Sequence, residues 1–257
     1  MEDQVVTPSA EQTYPTEVID LPSKGIFYPE DSPLRSGQIE LKYMTAKEED
    51  ILTSTNLIQK GIVLDKLMDS LIVTRGVKSR DLLVGDLNAV MIASRILGYG
   101  KDYEFALSCP ACGKTVNQTV DLTELENENE PSLEDSAEFK IVLPLSKAEI
   151  TLRLLTRNDE LEMEKESKAL QKVGSGVEND STGRLRAMIT AVNGDTSKKH
   201  IWTFVENMLV RDARFLREEY RRRIPDVNFT ITVDCDCGSD DREVKMPIGV
   251  NFFWPDA

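Results

Sequence analysis

The chain has 257 residues, of which 40% are hydrophobic and 30% charged, and its formal net charge at pH 7 is −14. These values allow one domain with insertions or two small domains. The negative charge repels phosphate backbones and anionic lipid heads, which argues against nucleic acid and membranes as partners. The sequence has no apolar run of the roughly 18–20 residues that cross a bilayer and no basic, apolar leader, so it predicts folding in a cytoplasm.

The N-terminal part predicts an arm, a docking segment and a strand. Residues 1–20 are acidic and poor in large apolar side chains, as is typical of a disordered arm. The next segment mixes turn-forming and apolar residues, and we expect Ile26, Phe27 and Tyr28 to dock on a partner protein. A period-two alternation over 38–44 predicts a half-buried strand.

Three helical signals follow this strand. Thr45 and Glu48 have the spacing of a capping box, which predicts a helix that runs to about Leu57. A second apolar stripe at helical spacing consists of Leu64, Leu67, Met68 and Leu71. Asp86 is expected to cap a third helix, which ends at one of two glycines near residue 100.

The pattern then alternates between strands and helices. An acidic stretch without basic residues, 124–138, predicts a solvated loop. Strands are expected at 103–108, 115–120, 140–143, 149–155, 229–233 and 243–246. Helices are expected at 158–173 and 182–192, around the stripe Ile201, Phe204, Val205 and Met208, and from there to about Arg223.

Together these signals predict an α+β fold with a helical body and a discontinuous zinc-ribbon-like β-hairpin module. The expected organisation is a disordered acidic arm (1–20), a docking segment with a strand and helices (21–100), a first knuckle hairpin with an acidic loop and strands (101–157), a helical region (158–225), and a second knuckle hairpin with a C-terminal tail (226–257).

The four cysteines form two close pairs, each placed between two predicted strands and followed by glycine. Cys109 and Cys112 have the spacing of a zinc knuckle, and Gly113 allows the positive φ of its turn. Cys235 and Cys237 are separated by one residue, and alternate residues of a strand face the same way. Four thiolates would make a closed tetrahedral Zn²⁺ site, which is structural and not catalytic.

Other roles for the cysteines remain open at this level. Cys109-Pro110-Ala111-Cys112 also resembles a thiol redox motif, although that chemistry favours a helix starting at the cysteines and the following residues predict a strand. Four ordinary buried thiols are a further alternative, whereas disulfides are disfavoured in a reducing cytoplasm.

Two other features have chemical interest. His200 is the only histidine, and nothing around Lys198-Lys199-His200-Ile201 resembles the nucleophile or glycine elbow of a hydrolase, which argues against a hydrolytic triad. The one concentration of basic residues has a local balance of +3 against Asp212, Glu218 and Glu219 and consists of Arg211, Arg214, Arg217, Arg221, Arg222 and Arg223. Spread along a helix, these arginines favour a solvated face that contacts acidic partners over a phosphate grip.

Several stretches resemble the T4-like bacteriophage family of baseplate hub subunits and hub assembly proteins. They are 21–28, 43–52, 85–100 running into the first cysteine pair, and the terminal Phe252-Phe253-Trp254-Pro255. The resemblance implies a non-enzymatic role in building the baseplate hub, with hub and tape-measure proteins as partners. It also implies a location in the host cytoplasm during assembly and in the virion tail afterwards. The alternative function is a zinc-ribbon regulator that binds nucleic acid.

Overall fold

The computed structural model describes residues 14–132, 135–172, 180–238 and 243–253. The strands of this part are β1 (Thr16–Asp20), β2 (Gln38–Lys42), β3 (Asp102–Ser108), β4 (Thr115–Asp121), β5 (Asn127–Glu128), β6 (Glu138–Val142), β7 (Glu149–Arg153), β8 (Ile189–Val192), β9 (Asp226–Val227), β10 (Thr230–Thr232) and β11 (Glu243–Lys245). The α-helices are α1 (Ala46–Leu52), α2 (Thr55–Lys60), α3 (Val63–Leu71), α4 (Val84–Tyr99), α5 (Arg157–Lys172), α6 (Asp180–Met188), α7 (Lys198–Glu206) and α8 (Val210–Arg221).

The strands pair in small antiparallel sheets around one large apolar core. The pairs are β1 with β2, β3 with β4, β5 with β9 and β10 with β11, and β6-β7-β8 form a three-stranded sheet. The core extends from Leu21 to Phe253 in sequence and includes the inner faces of α3, α4 and α8. Helices and small sheets thus share one core, which confirms the α+β prediction.

The capping box at the start of α1 is confirmed. The Glu48 carboxylate accepts hydrogen bonds from the Thr45 amide at 3.0 Å and from the Thr45 hydroxyl at 2.6 Å. The helix ends earlier than the predicted Leu57, however, because the chain turns at Thr53 and Ser54 and restarts as α2. The Thr53 hydroxyl donates to the Glu49 carbonyl, an interaction by which hydroxyl residues compete with helix continuation.

Two further predictions are wrong in their details. Asp86 is not the cap of α4 but its third residue, since Leu83 occupies the capping position. The predicted helix over 182–192 ends at Met188, and its last four residues form β8, which pairs with β7. Ile189, Thr190 and Val192 are β-branched, and burial beside β7 favours an extended conformation over another helical turn.

The two cysteine pairs lie on separate two-stranded ribbons. The β3–β4 ribbon pairs Asp102 with Asp121 at one end and Ser108 with Thr115 at the end that carries the first cysteine pair. The β10–β11 ribbon carries the second pair just after β10. The ribbons meet in a small apolar cluster that is separate from the main core and contains Leu107, Cys109, Val116, Val233, Cys235, Cys237 and Val244. We call the two ribbons and this cluster the ribbon module.

The two ends of the described chain both contact the rest of the fold. Residues 16–20, assigned to the arm by the sequence, pair with β2 along their whole length, while residues 1–13 lie outside the described part. After β11 the chain returns to the main core, where Phe252 and Phe253 are fully buried. The buried Arg95 holds this return by donating from Nε to the Phe252 carbonyl at 3.0 Å. Trp254 and Pro255 lie outside the described residues.

Candidate metal centre

The first knuckle is a tight turn between β3 and β4. The Cys109 amide donates to the Lys114 carbonyl and the Gly113 amide to the Cys109 carbonyl, both at 2.8 Å. Gly113 has a φ of 75°, the left-handed conformation that the sequence predicts for it. The turn buries Cys109 and leaves Cys112 exposed, with both residues at the same end of the ribbon.

The second knuckle has a different backbone from the one expected. Cys235 and Cys237 do not lie within a strand, because β10 ends at Thr232 and the cysteines occupy the turn that follows. Gly238 has a φ of 73° and ends this turn in the same way as the glycine of the first knuckle. Both pairs therefore lie in turns that end at a glycine. The prediction that Cys235 and Cys237 face the same way because they alternate along a strand is wrong.

The two turns bring all four sulfurs together. Cys109 Sγ lies 3.9 Å from Cys237 Sγ, and Cys112 Sγ lies 3.6 Å from Cys235 Sγ. All four sulfurs lie within 4.8 Å of one another, and none forms a disulfide. Four sulfurs at about 2.3 Å from a tetrahedral Zn²⁺ are separated by about 3.8 Å. The spacing therefore fits one tetrahedrally bound ion and is too long for an S–S bond.

Backbone amides support ionised sulfur in both knuckles. The amides of Cys112 and Ala111 point at Cys109 Sγ and, against the effect of burial, lower the pKa of the Cys109 thiol to about 7. The Cys237 amide acts on Cys235 in the same direction, but burial and the neighbouring thiols outweigh it and raise the pKa of Cys235 to about 12. Four clustered thiols cannot all ionise without a cation between them, and a divalent metal that replaces their protons meets this requirement.

The predicted docking residues lie at a second buried polar site. Tyr28 is buried, and its hydroxyl donates to Asp86 Oδ2 at 2.7 Å and accepts the Leu83 amide at 2.8 Å. The Ser23 amide and hydroxyl donate to the same Asp86 carboxylate at 2.9 and 2.6 Å. The segment is thus docked on the chain's own helix α4 through Tyr28, while Ile26 and Phe27 remain partly exposed.

Sequence reasoning missed the role of Asp86. Burial raises the pKa of its carboxyl, against the opposing hydrogen bonds from Ser23 and Tyr28. Three donated hydrogen bonds make this carboxylate the anchor that fastens residues 21–28 to the start of α4. Its partners are about 60 residues away in sequence, and no local pattern marks such a contact. The sequence predicts a cap at Asp86 because aspartate is one of the residues preferred at the N-cap of a helix.

The other candidates from the sequence, His200 and the arginines around α8, form no hydrogen bond with the cysteines among the described residues. His200 is exposed on α7, and its Nδ1 lies 4.0 Å from Asp195 Oδ2 without a serine or cysteine partner among the described residues. On α8 and just after it, Arg214, Arg222 and Arg223 pair with Glu218 or Glu219. Such i to i+3 and i to i+4 pairs are typical of a solvated helix face. Within the described residues, no helix is both long and apolar enough to cross a membrane.

Comparison with known proteins identifies the family. The sequence matches the family model described as T4 bacteriophage base plate protein over residues 16–254. No curated protein and no solved structure matches the chain. The matched region contains β1, both cysteine knuckles and the buried phenylalanines at the end of the described chain. Since the match covers most of the sequence, this chain belongs to the T4 bacteriophage base plate protein family.

Proposed function

We propose that this baseplate protein is a non-enzymatic hub subunit or hub assembly factor that acts by binding hub and tape-measure proteins. Membership of the family gives it a structural or assembly role in the phage baseplate, and the match over residues 16–254 carries the proposal. It works in the host cytoplasm during assembly and is then found in the virion tail or released. The exposed His200 forms no hydrogen bond to a serine or cysteine among the described residues, which supports a role without catalysis.

We further propose that Cys109, Cys112, Cys235 and Cys237 hold one structural Zn²⁺. The support is the tetrahedral spacing of the four sulfurs and the amides aimed at them. When bound, the ion would supply four metal–thiolate bonds and no chemistry beyond them, because four protein ligands leave no position for water or substrate. Its effect would be to fasten β10–β11 to β3–β4, two ribbons that are more than 100 residues apart in sequence.

Of residues 26–28, two would contact a partner protein and the third would hold them in position. Tyr28 is committed to the core, so it would act by holding its neighbours in place. Ile26 and Phe27 are partly exposed beside it and would make the contact with a partner. Phe27 also lines an open groove with Pro29 and Pro33, and the same groove is bordered by charged side chains, among them Arg80 and Glu138. Such a surface suits a segment that carries both apolar and charged side chains.

Co-expression tests the proposed function. The intact protein, produced together with the hub and tape-measure proteins of the same phage, is expected to co-elute with at least one of them on size exclusion. Mass spectrometry of purified mature virions then separates a subunit, which is retained, from an assembly factor, which is absent. Failure to form a complex with any tail protein would contradict the proposal.

The nucleic-acid alternative makes a different prediction. A net charge of −14 leaves little attraction for a phosphate backbone, and several arginines near α8 are neutralised by neighbouring glutamates. We therefore expect no retention on DNA at moderate ionic strength. Retention that weakens steeply with added salt would instead favour a zinc-ribbon regulator.

A further inference from the structure

The outer edge of β6 is an unpaired sheet edge in the described part of the chain. In the three-stranded sheet, β7 lies in the middle and β6 pairs with it on one side only. Leu143, just after β6, donates from its amide to the Ala148 carbonyl, so its backbone faces β7. Backbone direction alternates along a strand, and the amides and carbonyls of Lys140 and Val142 therefore face away from β7. This edge offers hydrogen bonds for another strand.

Exposed apolar side chains lie at the same end of the sheet. Val142 is 57% exposed and Leu145, in the following turn, is 43% exposed. The turn is joined to the start of α8, because the Leu145 and Ser146 amides both donate to the buried Asp212 carboxylate at 2.9 Å. These bonds bring the Leu145 backbone to the N-terminal end of α8, where the capping residue Leu209 and the first helical residue Val210 are exposed.

The Asp212 anchor makes this arrangement fixed. Although burial opposes ionisation, the two donated amides hold the pKa of the Asp212 carboxyl below its ordinary value. A charged carboxylate at the third position of α8 also suits the helix N-terminus. The turn that carries Leu145 is therefore fixed beside the start of α8. We call the exposed Val142, Leu145, Leu209 and Val210, together with the outer edge of β6, the β6 platform.

The β6 platform is locally basic on an acidic protein. Strand β6, the turn after it and the start of α8 (138–149 and 209–214) contain four basic and three acidic side chains, a balance of +1, whereas the whole chain has −14. Lys140 and Arg214 pair with Glu149 and Glu218, and Asp212 binds the turn amides. The exposed Lys147 and Arg211 form no ion pair among the described residues, so these two cations border the apolar strip beside the outward backbone groups of β6. This surface suits an extended apolar segment flanked by acidic residues.

We infer that the β6 platform adds an extended, acidic-flanked apolar segment of another tail protein as a fourth strand of the β6-β7-β8 sheet. This inference rests on the proposed function and names the surface and the chemistry of the partner. The segment would pair its backbone with Lys140 and Val142 of β6 and cover Val142 and Leu145 with apolar side chains. Its acidic residues would face Lys147 and Arg211.

Strand β1 provides a matched control for this edge. Val18 of β1 is 58% exposed, nearly the same as Val142. It pairs with Glu40, whose backbone bonds to residues 73 and 74 on the other side, so the Val18 amide also faces away from its partner strand. Glu17 and Asp20 flank Val18, however, and this second edge repels an acidic segment.

The test uses the co-expressed hub and tape-measure proteins with the intact chain. Val142→Pro removes one outward amide from β6 while proline remains compatible with an edge strand, and Val18→Pro makes the same change on β1. We expect Val142→Pro to weaken the complex on the order of tenfold or more and Val18→Pro to leave it unchanged. Unchanged thermal unfolding must accompany both variants. Equal binding by both folded variants would overturn the inference, whereas absence of any complex with the unmodified chain would contradict the proposed function itself.

A second pair of variants tests the chemistry of the partner without altering the backbone. Leu145→Glu and Leu145→Lys remove the same exposed apolar side chain and differ in charge. An acidic-flanked segment is expected to bind Leu145→Glu more weakly than Leu145→Lys, by about tenfold at low salt, and the difference is expected to shrink as salt is added. The reverse order, or loss of self-association in Val142→Pro in place of loss of the tail-protein complex, would overturn the inference.

Discussion

The body of the protein and its ribbon module are stabilised in different ways. In the body, α3 and α4 bury continuous apolar surface, and buried carboxylates such as Asp86 accept several hydrogen bonds from distant segments. Among the described residues of the ribbon module, a small cluster contains three buried residues, two of which are cysteines. Hydrophobic burial is proportional to area, so this cluster contributes far less than the body does. From this difference we expect the body to fold through its own packing and the ribbon module to depend on the proposed metal.

Removal of the proposed Zn²⁺ is expected to have the largest effect and to show that the two regions are stabilised differently. Chelation of freshly purified, reduced protein, or Cys235→Ser, removes a site whose binding energy is about 10 kcal/mol or more for structural zinc. Amide hydrogen exchange of β3, β4, β10 and β11 should accelerate on the order of hundredfold or more, while α3 and α4 keep their protection.

The control for this experiment is Ser108→Ala, an exposed residue beside Cys109 that offers no thiolate. It should retain one zinc per chain by metal analysis and normal exchange. Protein that contains no zinc when purified under reducing conditions, or ribbons that keep their protection without metal, would show that the apolar cluster is sufficient and would remove the contrast between the regions.

Asp86→Ala is expected to have the next largest effect and to act on the body. The substitution leaves the Ser23 and Tyr28 donors without their acceptor in a buried site, at a cost of about 3–5 kcal/mol in the free energy of unfolding. Chemical denaturation measures the loss, and zinc content should stay at the level of the unmodified protein. Asp50→Ala, an exposed substitution on α1, is the control and should cost little. A small loss in Asp86→Ala would mean that residues 21–28 are held by packing alone.

Gly85→Ala tests how closely the body packs around α4. A methyl group at this position would lie 1.9 Å from the Pro225 carbonyl oxygen, so helix and backbone must separate. We expect a loss of about 2–3 kcal/mol, seen as a lower thermal midpoint. Gly183→Ala, in α6 with nothing within 4 Å of the added methyl, should instead be neutral or stabilising by up to about 1 kcal/mol. The same loss in both variants would contradict the close approach at Gly85.

Acid is expected to have the smallest effect, through Glu48. Although burial opposes ionisation, the bonds from Lys42, Thr45 and Ser70 lower the pKa of Glu48 to about 2, from an ordinary value of 4.5. Its contribution to stability is therefore present above pH 4.5 and is lost as the pH falls towards 2. The difference in stability between the unmodified protein and Glu48→Gln should shrink over that window, and the exposed Glu49→Gln should show no such change. A pH-independent difference would contradict this role.

Local patterns predicted much of the chain because their causes are local. The capping box of Thr45 and Glu48, the stripe of α3 and the strands beside the first cysteine pair depend on neighbours a few residues away. The predicted ends of the elements are wrong where contacts with residues distant in sequence determine the backbone conformation. Ile189–Val192 continues a helical stripe in sequence, but pairing with β7 makes it a strand. An aspartate near a helix start is typical of a cap, but the Asp86 carboxylate instead accepts hydrogen bonds from the Ser23 and Tyr28 hydroxyls.

The candidate site shows the same division. Two cysteine pairs followed by glycine predicted four residues whose sulfurs the structure brings within 4.8 Å of one another, and their role as metal ligands stays a prediction. The sequence did not reveal that the second pair lies in a turn beyond β10, nor that sulfurs pair as 109 with 237 and 112 with 235.

By itself, the amino-acid sequence determined the class of fold, the four cysteines of the proposed metal site and the family, because these depend on periodicity, spacing and residue type. Only the tertiary structure decided which surfaces remain open. It placed Tyr28 inside and, within the part of the chain that the structure describes, left the outer edge of β6 unpaired beside Val142 and Leu145. Burial and strand pairing depend on contacts between residues that are far apart in the chain. The free energy of these contacts therefore cannot be inferred from a short stretch of sequence.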